Sequence, residues 1–251
     1  MQMKFRTILI IIFLTIGLGS CGKMSDEEAG EINFRIKLVY GEQSLEMFKV
    51  YEYPITKDKF LMSRLSFYIS ELTIHTPNGD FLIKDIDYLN LTNSHTAPLA
   101  ANGLEYKISG VKPGNYTSVD FGIGVPKIYN AKAPKDFRAD DILSSSAEYW
   151  SAWKSYIFFR PEGQISLNGK PISETSFALH LGADESFKKI TLAKSINVVK
   201  DQVTNVDIIL DMQKFFSGKT LYDIRQTQQI HSLNQMPLMQ QLSENLSTAF
   251  R

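Results

Sequence analysis

The stretch Ile32-Asn33-Phe34-Arg35-Ile36-Lys37-Leu38-Val39-Tyr40 decides the fold class. Its apolar residues fall on every second position, and most of the positions between them are polar. Because successive side chains of a β-strand point to opposite faces, this pattern predicts a strand with one face buried. The same period of two recurs over Tyr116–Ile123 and at Val206, Ile208, Leu210 and Met212. The sequence therefore predicts several half-buried strands.

Turn signals separate the predicted strands. Proline, glycine and asparagine cluster at Pro77-Asn78-Gly79, Pro113-Gly114-Asn115, Pro161-Glu162-Gly163 and Asn168-Gly169. These residues favour turns because glycine and asparagine tolerate a positive φ and proline fixes its own φ. Many short strands joined by such turns predict an all-β fold, a β-sandwich of short antiparallel strands.

The end of the chain follows a different period. Apolar residues recur at helical spacing from Leu238 to Phe250, and Pro237 is suited to the first turn of a helix. This pattern predicts a C-terminal amphipathic helix whose apolar stripe packs on the sandwich. The least regular stretch, from Lys127 to Trp153, is predicted to form long loops over one end of the fold.

The first residues carry the features of a secretory signal. Lys4 and Arg6 precede an apolar run from Ile8 to Leu18, which is too short to span a bilayer. Leu18-Gly19-Ser20 then leads into Cys21, the only cysteine of the chain, and resembles the bacterial lipobox. We therefore assign residues 1–20 to a lipoprotein signal peptide, 21–30 to a lipidated flexible tether and 31–251 to a single β-sandwich domain.

A lipid on Cys21 would attach the protein to a membrane of the cell envelope. We expect the outer membrane, with the domain either periplasmic or exposed at the cell surface. The acidic run Asp26-Glu27-Glu28 resembles a surface-export signal of Bacteroidetes lipoproteins, although such a run also serves simply to solvate a linker. Acylation leaves no free thiol, so neither a disulfide nor a thiolate ligand is expected in the domain.

Charge and motifs exclude two classes of function. Without the signal peptide the chain has 25 basic and 27 acidic side chains, and it has no basic stripe that would neutralise nucleic-acid phosphates. The sequence also contains no nucleophile elbow, zinc-protease motif, phosphate-binding loop or alternating acidic calcium loop. We predict that the protein is not an enzyme and has no nucleic-acid partner.

Four sequence blocks, together with a short ending motif, carry a resemblance to a known family. They are Leu65–Leu72, Tyr116–Pro126, Glu148–Phe159 and Phe177–Gly182, followed by Ile230-His231-Ser232 before the final helix. In this order and spacing they resemble the MbnP-like proteins, the methanobactin-associated copper-binding family, whose relatives include many Bacteroidetes lipoproteins. The similarity covers nearly all of the predicted domain.

The resemblance implies a secreted or lipid-anchored β-rich protein that binds copper through histidine ligands. In some members a tryptophan is oxidised to kynurenine by a di-haem enzyme, so such an enzyme is an implied partner. The chain departs from the family at two places. It has Tyr129-Asn130-Ala131 where many relatives have a histidine, and Ala183–Ser186 where others have a cysteine.

Two of the four histidines are the candidate metal ligands. If Thr175–Leu181 is a strand, His180 points away from the apolar face that Phe177, Leu179 and Leu181 form. A polar strand histidine is more often hydrogen-bonded than metal-bound, but the resemblance favours His180 as a ligand. His231, which precedes the C-terminal helix, is the second candidate.

The remaining histidines and two methionines are weaker candidates. His75 precedes a turn and His95 lies in a polar stretch, so both are predicted to be exposed. Met236 and Met239 lie close to His231, and thioether and imidazole together suit copper. The simpler interpretation is that His231 caps the helix and the methionines fill gaps beneath it, which is how methionine usually behaves.

Trp150 and Trp153 belong to the densest aromatic cluster of the sequence. A packing role is the simplest interpretation for side chains of this size. A second, more specific hypothesis is that they lie beside copper and can be oxidised. A third hypothesis is that they form an exposed platform on which sugar rings stack.

The sequence thus predicts an envelope lipoprotein that binds copper, for acquisition, storage or handover, through His180 and His231. The alternative is a metal-free adhesive or ligand-binding module, such as a glycan-binding sandwich. A large separation between the two histidines would favour that alternative.

Overall fold

The alternating stretch forms the first strand, β1 (Gly30–Tyr40), in a computed structural model that describes residues 29–54 and 56–251. Ile32, Phe34, Ile36 and Leu38 are at most 1% exposed. One face of β1 therefore lies in the core, as the period of two predicts. The predicted signal peptide, Cys21 and most of the tether lie outside the described residues.

Strands dominate the described part of the chain. In chain order the elements are β1 (Gly30–Tyr40), β2 (Gln43–Ser44), β3 (Tyr51–Glu52), β4 (Lys59–Thr76), β5 (Gly79–Asn90), β6 (Leu104–Val111), β7 (Gly114–Ile123), α1 (Lys127–Asn130), β8 (Tyr149–Trp150), β9 (Ser155–Ile165), β10 (Ser176–Leu179), β11 (Leu181–Gly182), β12 (Lys188–Val198), β13 (Val203–Asp211), α2 (Met212–Ser217), β14 (Gln229–Ile230) and α3 (Met236–Ala249).

The strands form two sheets around one apolar core. In the small sheet β1 pairs with β13, β2 and β6. The large sheet has the order β12-β7-β4-β9-β10-β14, with β3 and β5 also paired to β4, and β8 and β11 to β9. The predicted all-β sandwich is confirmed. Two pairs, β1–β13 and β10–β14, are parallel, so the strands are not all antiparallel.

The predicted turns occur at three of the four places. Residues 77–78 join β4 to β5, residues 112–113 join β6 to β7, and Asn168-Gly169 forms a turn. The prediction for Pro161-Glu162-Gly163 is wrong, because these residues lie inside β9. Gly163 serves close packing there, since a Cβ on it would lie 2.0 Å from the carbonyl oxygen of Leu61.

The C-terminal helix is confirmed as α3, with Pro237 in its first turn. Its buried residues Met239, Leu242 and Leu246 belong to the shared core. No helix of the described residues is long and apolar enough to cross a membrane. The irregular stretch after β7 contains α1, three short 3-10 turns and β8. Its Tyr129, Phe137 and Leu143 pack in a second apolar cluster with Tyr68 of β4 and Phe158 of β9.

Candidate functional site

The parallel pairing of β10 and β14 brings the two candidate histidines together. Leu179 is opposite Ile230 in this pair, so the next residues, His180 and His231, lie side by side. Their ring centroids are 4.9 Å apart, with an angle of 37° between the rings. The large separation that would favour a metal-free protein is not observed.

Glu162 holds one nitrogen of His180. The register of β9 and β10 places Glu162 opposite Ala178, and the Nε2 atom of His180 lies 2.8 Å from Oε1 of Glu162. His180 is 4% exposed, and its Nδ1 atom is buried without a hydrogen-bond partner among the described residues. If the Nε2–H donates to the carboxylate, Nδ1 carries the free lone pair.

A network of ion pairs and hydrogen bonds holds the Glu162 carboxylate in place. Arg160 donates to Oε1 of Glu162 at 2.6 Å and to Oε2 of Glu148 at 3.0 Å. Glu148 is 4% exposed and also accepts from Arg64 at 2.5 Å and from the Tyr88 hydroxyl at 2.8 Å. These two arginines and two carboxylates neutralise one another, so the buried face carries no net charge from them.

The pKa of Glu162 reflects these contacts. Burial alone would raise the pKa of this carboxyl, but hydrogen bonds from His180 and Arg160 outweigh burial and lower it to about 2. Glu162 is therefore ionised at neutral pH, and its negative charge is directed at the His180 ring.

The two tryptophans cover the histidine pair. Trp150 ends β8, and the tight turn to β9 stacks it on Trp153, with ring centroids 4.8 Å apart and planes 7° from parallel. The Trp150 ring lies 5.6 Å from the His180 ring and 5.0 Å from the His231 ring. Trp153 is buried in the core, and its Nε1–H donates to the carbonyl of His231 at 3.2 Å.

His231 is the more accessible of the two imidazoles. It is exposed, and its backbone N–H donates to Oε1 of Gln235 at 2.9 Å. The part of the residue that packs into the site loses contact with water, which lowers the pKa of His231; His180 and Arg160 lower it further and outweigh the opposing effect of Glu162. The neutral imidazole, which is the form that binds metals, is thereby favoured.

The donor set at this site is small. In the part of the chain that the structure describes, no group of three or more His, Cys, Asp or Glu side chains is arranged to hold a metal ion. Met239 is completely buried in the core and Met236 packs against it, which agrees with the simpler interpretation of both methionines. The arrangement offers two imidazoles, one of them with an unpartnered buried nitrogen, as possible metal donors.

The other two histidines, His95 and His75, each contact protein groups outside this site. The prediction that His95 is exposed is wrong, because it is fully buried. Its Nε2 atom accepts from the backbone N–H of Leu38 at 3.0 Å, and Nδ1 lies 2.9 Å from the carbonyl of Leu91. His75 is partly exposed, and its Nδ1 atom lies 2.7 Å from Oδ1 of Asp80.

An open groove of about 500 Å³ runs beside the histidine pair. Its walls include His180, His231, Glu162 and the exposed side chain of Phe48. Phe48 has a φ of 66°, a conformation that bulky residues rarely adopt. The groove connects the histidine pair to solvent.

Sequence reasoning did not identify Glu162, Arg160, Arg64 and Glu148 as parts of this site. The proline and the glycine on either side of Glu162 predict a turn there, which conceals its place in a strand. A signal was available in the alternation of β9, where Arg160 and Glu162 occupy every second position opposite an apolar face. The pairing of β9 with β4 and β10 could not be inferred from local sequence.

A sequence profile of the MbnP family matches residues 29–236. The solved structure of MbnP from Methylosinus trichosporium is similar with a TM-score of 0.51 and 10% sequence identity, covering 75% of this chain and 78% of that one. At this identity the structural likeness concerns the fold. No curated protein sequence matches the chain.

Proposed function

The chain belongs to the MbnP family, and from this premise we propose that it is an envelope lipoprotein that binds copper through His180 and His231. Binding serves the acquisition, storage or handover of the metal. The proposal treats the protein as a binding protein and not as an enzyme.

The unpartnered Nδ1 atom of His180 carries this proposal. A buried nitrogen without a hydrogen bond costs free energy, about 1–3 kcal/mol, and a metal ion would remove that cost. Glu162 on the opposite nitrogen matches the carboxylate–histidine pairs that orient metal ligands and raise their basicity. The neutral ring of His231, 4.9 Å away, supplies the second donor.

Imidazole nitrogens bind copper in either oxidation state, so this pair alone does not select between Cu(I) and Cu(II). Two imidazoles leave room for a third donor. Trp150 is the side chain whose ring lies near both imidazoles. If a di-haem partner enzyme cleaved its indole C2–C3 bond oxidatively and C2 left as a one-carbon acid, the resulting kynurenine would present a ketone and an aromatic amine there. Water is the alternative third donor.

The glycan-binding alternative receives less support from this geometry. A platform for sugars needs a free aromatic face. Trp150 stacks on Trp153 and its ring also lies 5.6 and 5.0 Å from the two histidine rings, and Trp153 is buried.

Copper titration of the purified full-length protein tests the proposal. We expect wild type to bind one copper ion, and both His180→Ala and His231→Ala to lower the affinity at least about tenfold, because each removes one of two protein donors. Competition with a chelating dye for Cu(I) and for Cu(II) would give the affinities.

His75→Ala is the matched control, because His75 is a partly exposed histidine at the opposite end of β4 that can bind copper adventitiously. This variant should retain the tight site. Equal binding by wild type and the double variant His180→Ala, His231→Ala would refute the assignment and favour the metal-free module.

A further inference from the structure

The described chain begins at one end of the sandwich. The carbonyl of Ala29 accepts from the N–H of Asp201 at 3.0 Å, and the N–H of Glu31 donates to Gln202 at 3.0 Å. Residue 29 therefore lies beside the turn that joins β12 to β13. The β6–β7 connection lies at the same end, because Val111 pairs with Gly30 and Gly114 pairs with Val198.

This end exposes a patch of apolar side chains. Of the ten exposed large apolar residues in the described part of the chain, four lie here and define what we term the anchor-end patch: Phe81, Leu82, Val199 and Val203. Leu82 is 60% exposed and Val203 is 52% exposed.

The patch extends across the ends of both sheets. One surface depression lies between Val203 of β13 and the Ser109-Gly110 segment of β6. A second depression shares Ser109-Gly110 and is lined by Phe81 and Leu82 of β5. Exposed apolar side chains grouped in this way mark a contact surface more often than isolated ones do.

The tether brings this end close to the proposed anchor. Cys21 and Ala29 are eight residues apart, and a fully extended chain of that length reaches about 28 Å at most. The patch surrounds the point where the chain enters the fold, so it lies on the part of the domain that the short tether keeps within reach of the lipid. Exposed Lys112 and Lys200 adjoin it, and so do the carboxylates of Glu31 and Asp201, so the rim carries both signs of charge. Lysine side chains can reach lipid phosphates while their stems lie on apolar surface.

The histidine pair lies far from the patch, toward the other end of β4. In strand β4, Thr76 lies beside the anchor end. Arg64, further along the same strand, pairs with Glu162, which contacts His180. Twelve residues of strand correspond to about 40 Å. A domain resting on the patch would therefore hold His180 and His231 away from the membrane.

We propose that the anchor-end patch is a membrane-contact surface, which rests among the headgroups of the bilayer that holds Cys21 and directs the histidine pair away from it. This inference rests on the proposed lipid anchor and is independent of copper binding. The apolar side chains enter the interfacial region and the adjoining lysines contact lipid phosphates.

A fluorescent probe at a single introduced cysteine tests the orientation. Full-length lipidated protein carrying Leu82→Cys or Val203→Cys is labelled with an environment-sensitive dye and reconstituted in vesicles of phosphatidylethanolamine and phosphatidylglycerol. Acylated Cys21 does not react with the label. We expect blue-shifted emission at both positions and loss of most of the fluorescence when some lipids carry a nitroxide near the headgroup.

Ile128→Cys is the matched control. Ile128 is 67% exposed in α1, which follows the opposite end of β7 from the anchor. Its probe should remain water-exposed and unquenched. Equal quenching at Leu82 and Ile128, or none at either, would overturn the proposal. A blue shift at Leu82 without quenching by the lipid nitroxide would assign the patch to a protein contact, such as a second copy, and would also overturn it.

Flotation on a density gradient distinguishes failure of the anchor from failure of the surface. Wild type should float with the vesicles, and Cys21→Ala should not be lipidated. If wild type does not float and its Cys21 reacts with the label, the anchor is wrong and the membrane-contact proposal falls with it. If wild type floats but the Leu82 probe stays in water, only the orientation is wrong.

Discussion

At the scale of single residues, Glu162 connects the fold to the proposed chemistry. It is one of the alternating polar residues of β9, its carboxylate is kept ionised by Arg160 and His180, and it occupies the nitrogen of His180 that faces it. This arrangement leaves Nδ1 of His180 as the nitrogen available to a ligand. Glu162 is thus a positioning residue for the proposed site.

We predict that Glu162→Gln lowers copper affinity by about 10–100-fold, because the neutral amide keeps the shape but no longer raises the basicity of His180. Chelator competition would measure the change. Glu105→Gln, at an exposed carboxylate of β6 in the small sheet, should leave the affinity unchanged. An unaltered affinity in Glu162→Gln would show that the carboxylate has only a structural role.

His95 provides a second prediction at this scale. Burial lowers the pKa of His95, and protonation of Nε2 would also break its hydrogen bond from the Leu38 N–H. Below a pH of about 6.5, His95 is therefore protonated in the unfolded state but stays largely neutral in the folded state. Because the unfolded state binds more protons, the free energy of unfolding falls as pH decreases from 7.

We predict that His95 contributes up to about 1.4 kcal/mol per pH unit to this loss of stability below pH 6.5. His95→Gln should be less stable at pH 7.5 by about 1–3 kcal/mol, but its stability should depend less on pH between 7 and 5. Urea unfolding at several pH values would measure both effects. Parallel pH profiles for wild type and variant would contradict the prediction.

At the scale of elements, β9 connects β4 to β10 within the large sheet. It lies between β4 and β10, and Gly163 allows these strands to approach. A Cβ on Gly163 would lie 2.0 Å from the Leu61 carbonyl and 2.6 Å from the Phe177 ring. Neither the backbone oxygen nor the buried ring can move far without disrupting the sheet.

We predict that Gly163→Ala destabilises the protein by about 3 kcal/mol or more, because overpacking here displaces backbone as well as side chains. Gly79→Ala is the matched control, since a Cβ on Gly79 would meet nothing within 4 Å. Its stability should change by less than about 0.5 kcal/mol. Thermal unfolding of both variants decides the matter, and similar melting temperatures would contradict the prediction.

The same strand shows what local sequence can and cannot predict. The alternation of β1, β7 and β13 was sufficient to predict those strands, because burial of one face imposes a period of two. Pro161 and Gly163 predict a turn but lie inside β9, because glycine is favoured both in turns and where strands pack closely. Local signals of this kind carry no information about which strands pair.

At the scale of the whole molecule, the proposed site depends on long-range pairing. The family resemblance favours His180, and His231 is the second candidate because it precedes the C-terminal helix. Their proximity follows from the parallel pairing of β10 with β14, about fifty residues later in the chain. No local pattern encodes that pairing, since β14 has only two residues. The burial of His95 was missed for the same reason, because the N–H of Leu38 that it accepts from is distant in sequence.

The end of the chain links the two sheets. After α3, Arg251 exchanges two backbone hydrogen bonds with Ile209 of β13 in the small sheet, at 2.8 and 3.0 Å. The ring of Phe250 packs edge-on against Phe121 and Phe67 of the large sheet, at centroid distances of 5.3 and 6.3 Å. The last two residues therefore contact both layers of the sandwich.

We predict that Phe250→Ala lowers the free energy of unfolding by about 3–5 kcal/mol, because it leaves a cavity between the two sheets. For a domain of this size such a loss lowers the melting temperature by about 10 °C. Phe48→Ala is the control, because Phe48 is 59% exposed and its truncation opens no cavity. Since both sheets share one core, calorimetry should show a single transition in wild type and in Phe250→Ala. Two separate transitions, or a loss below about 1 kcal/mol, would show that the sheets are stable without this connection.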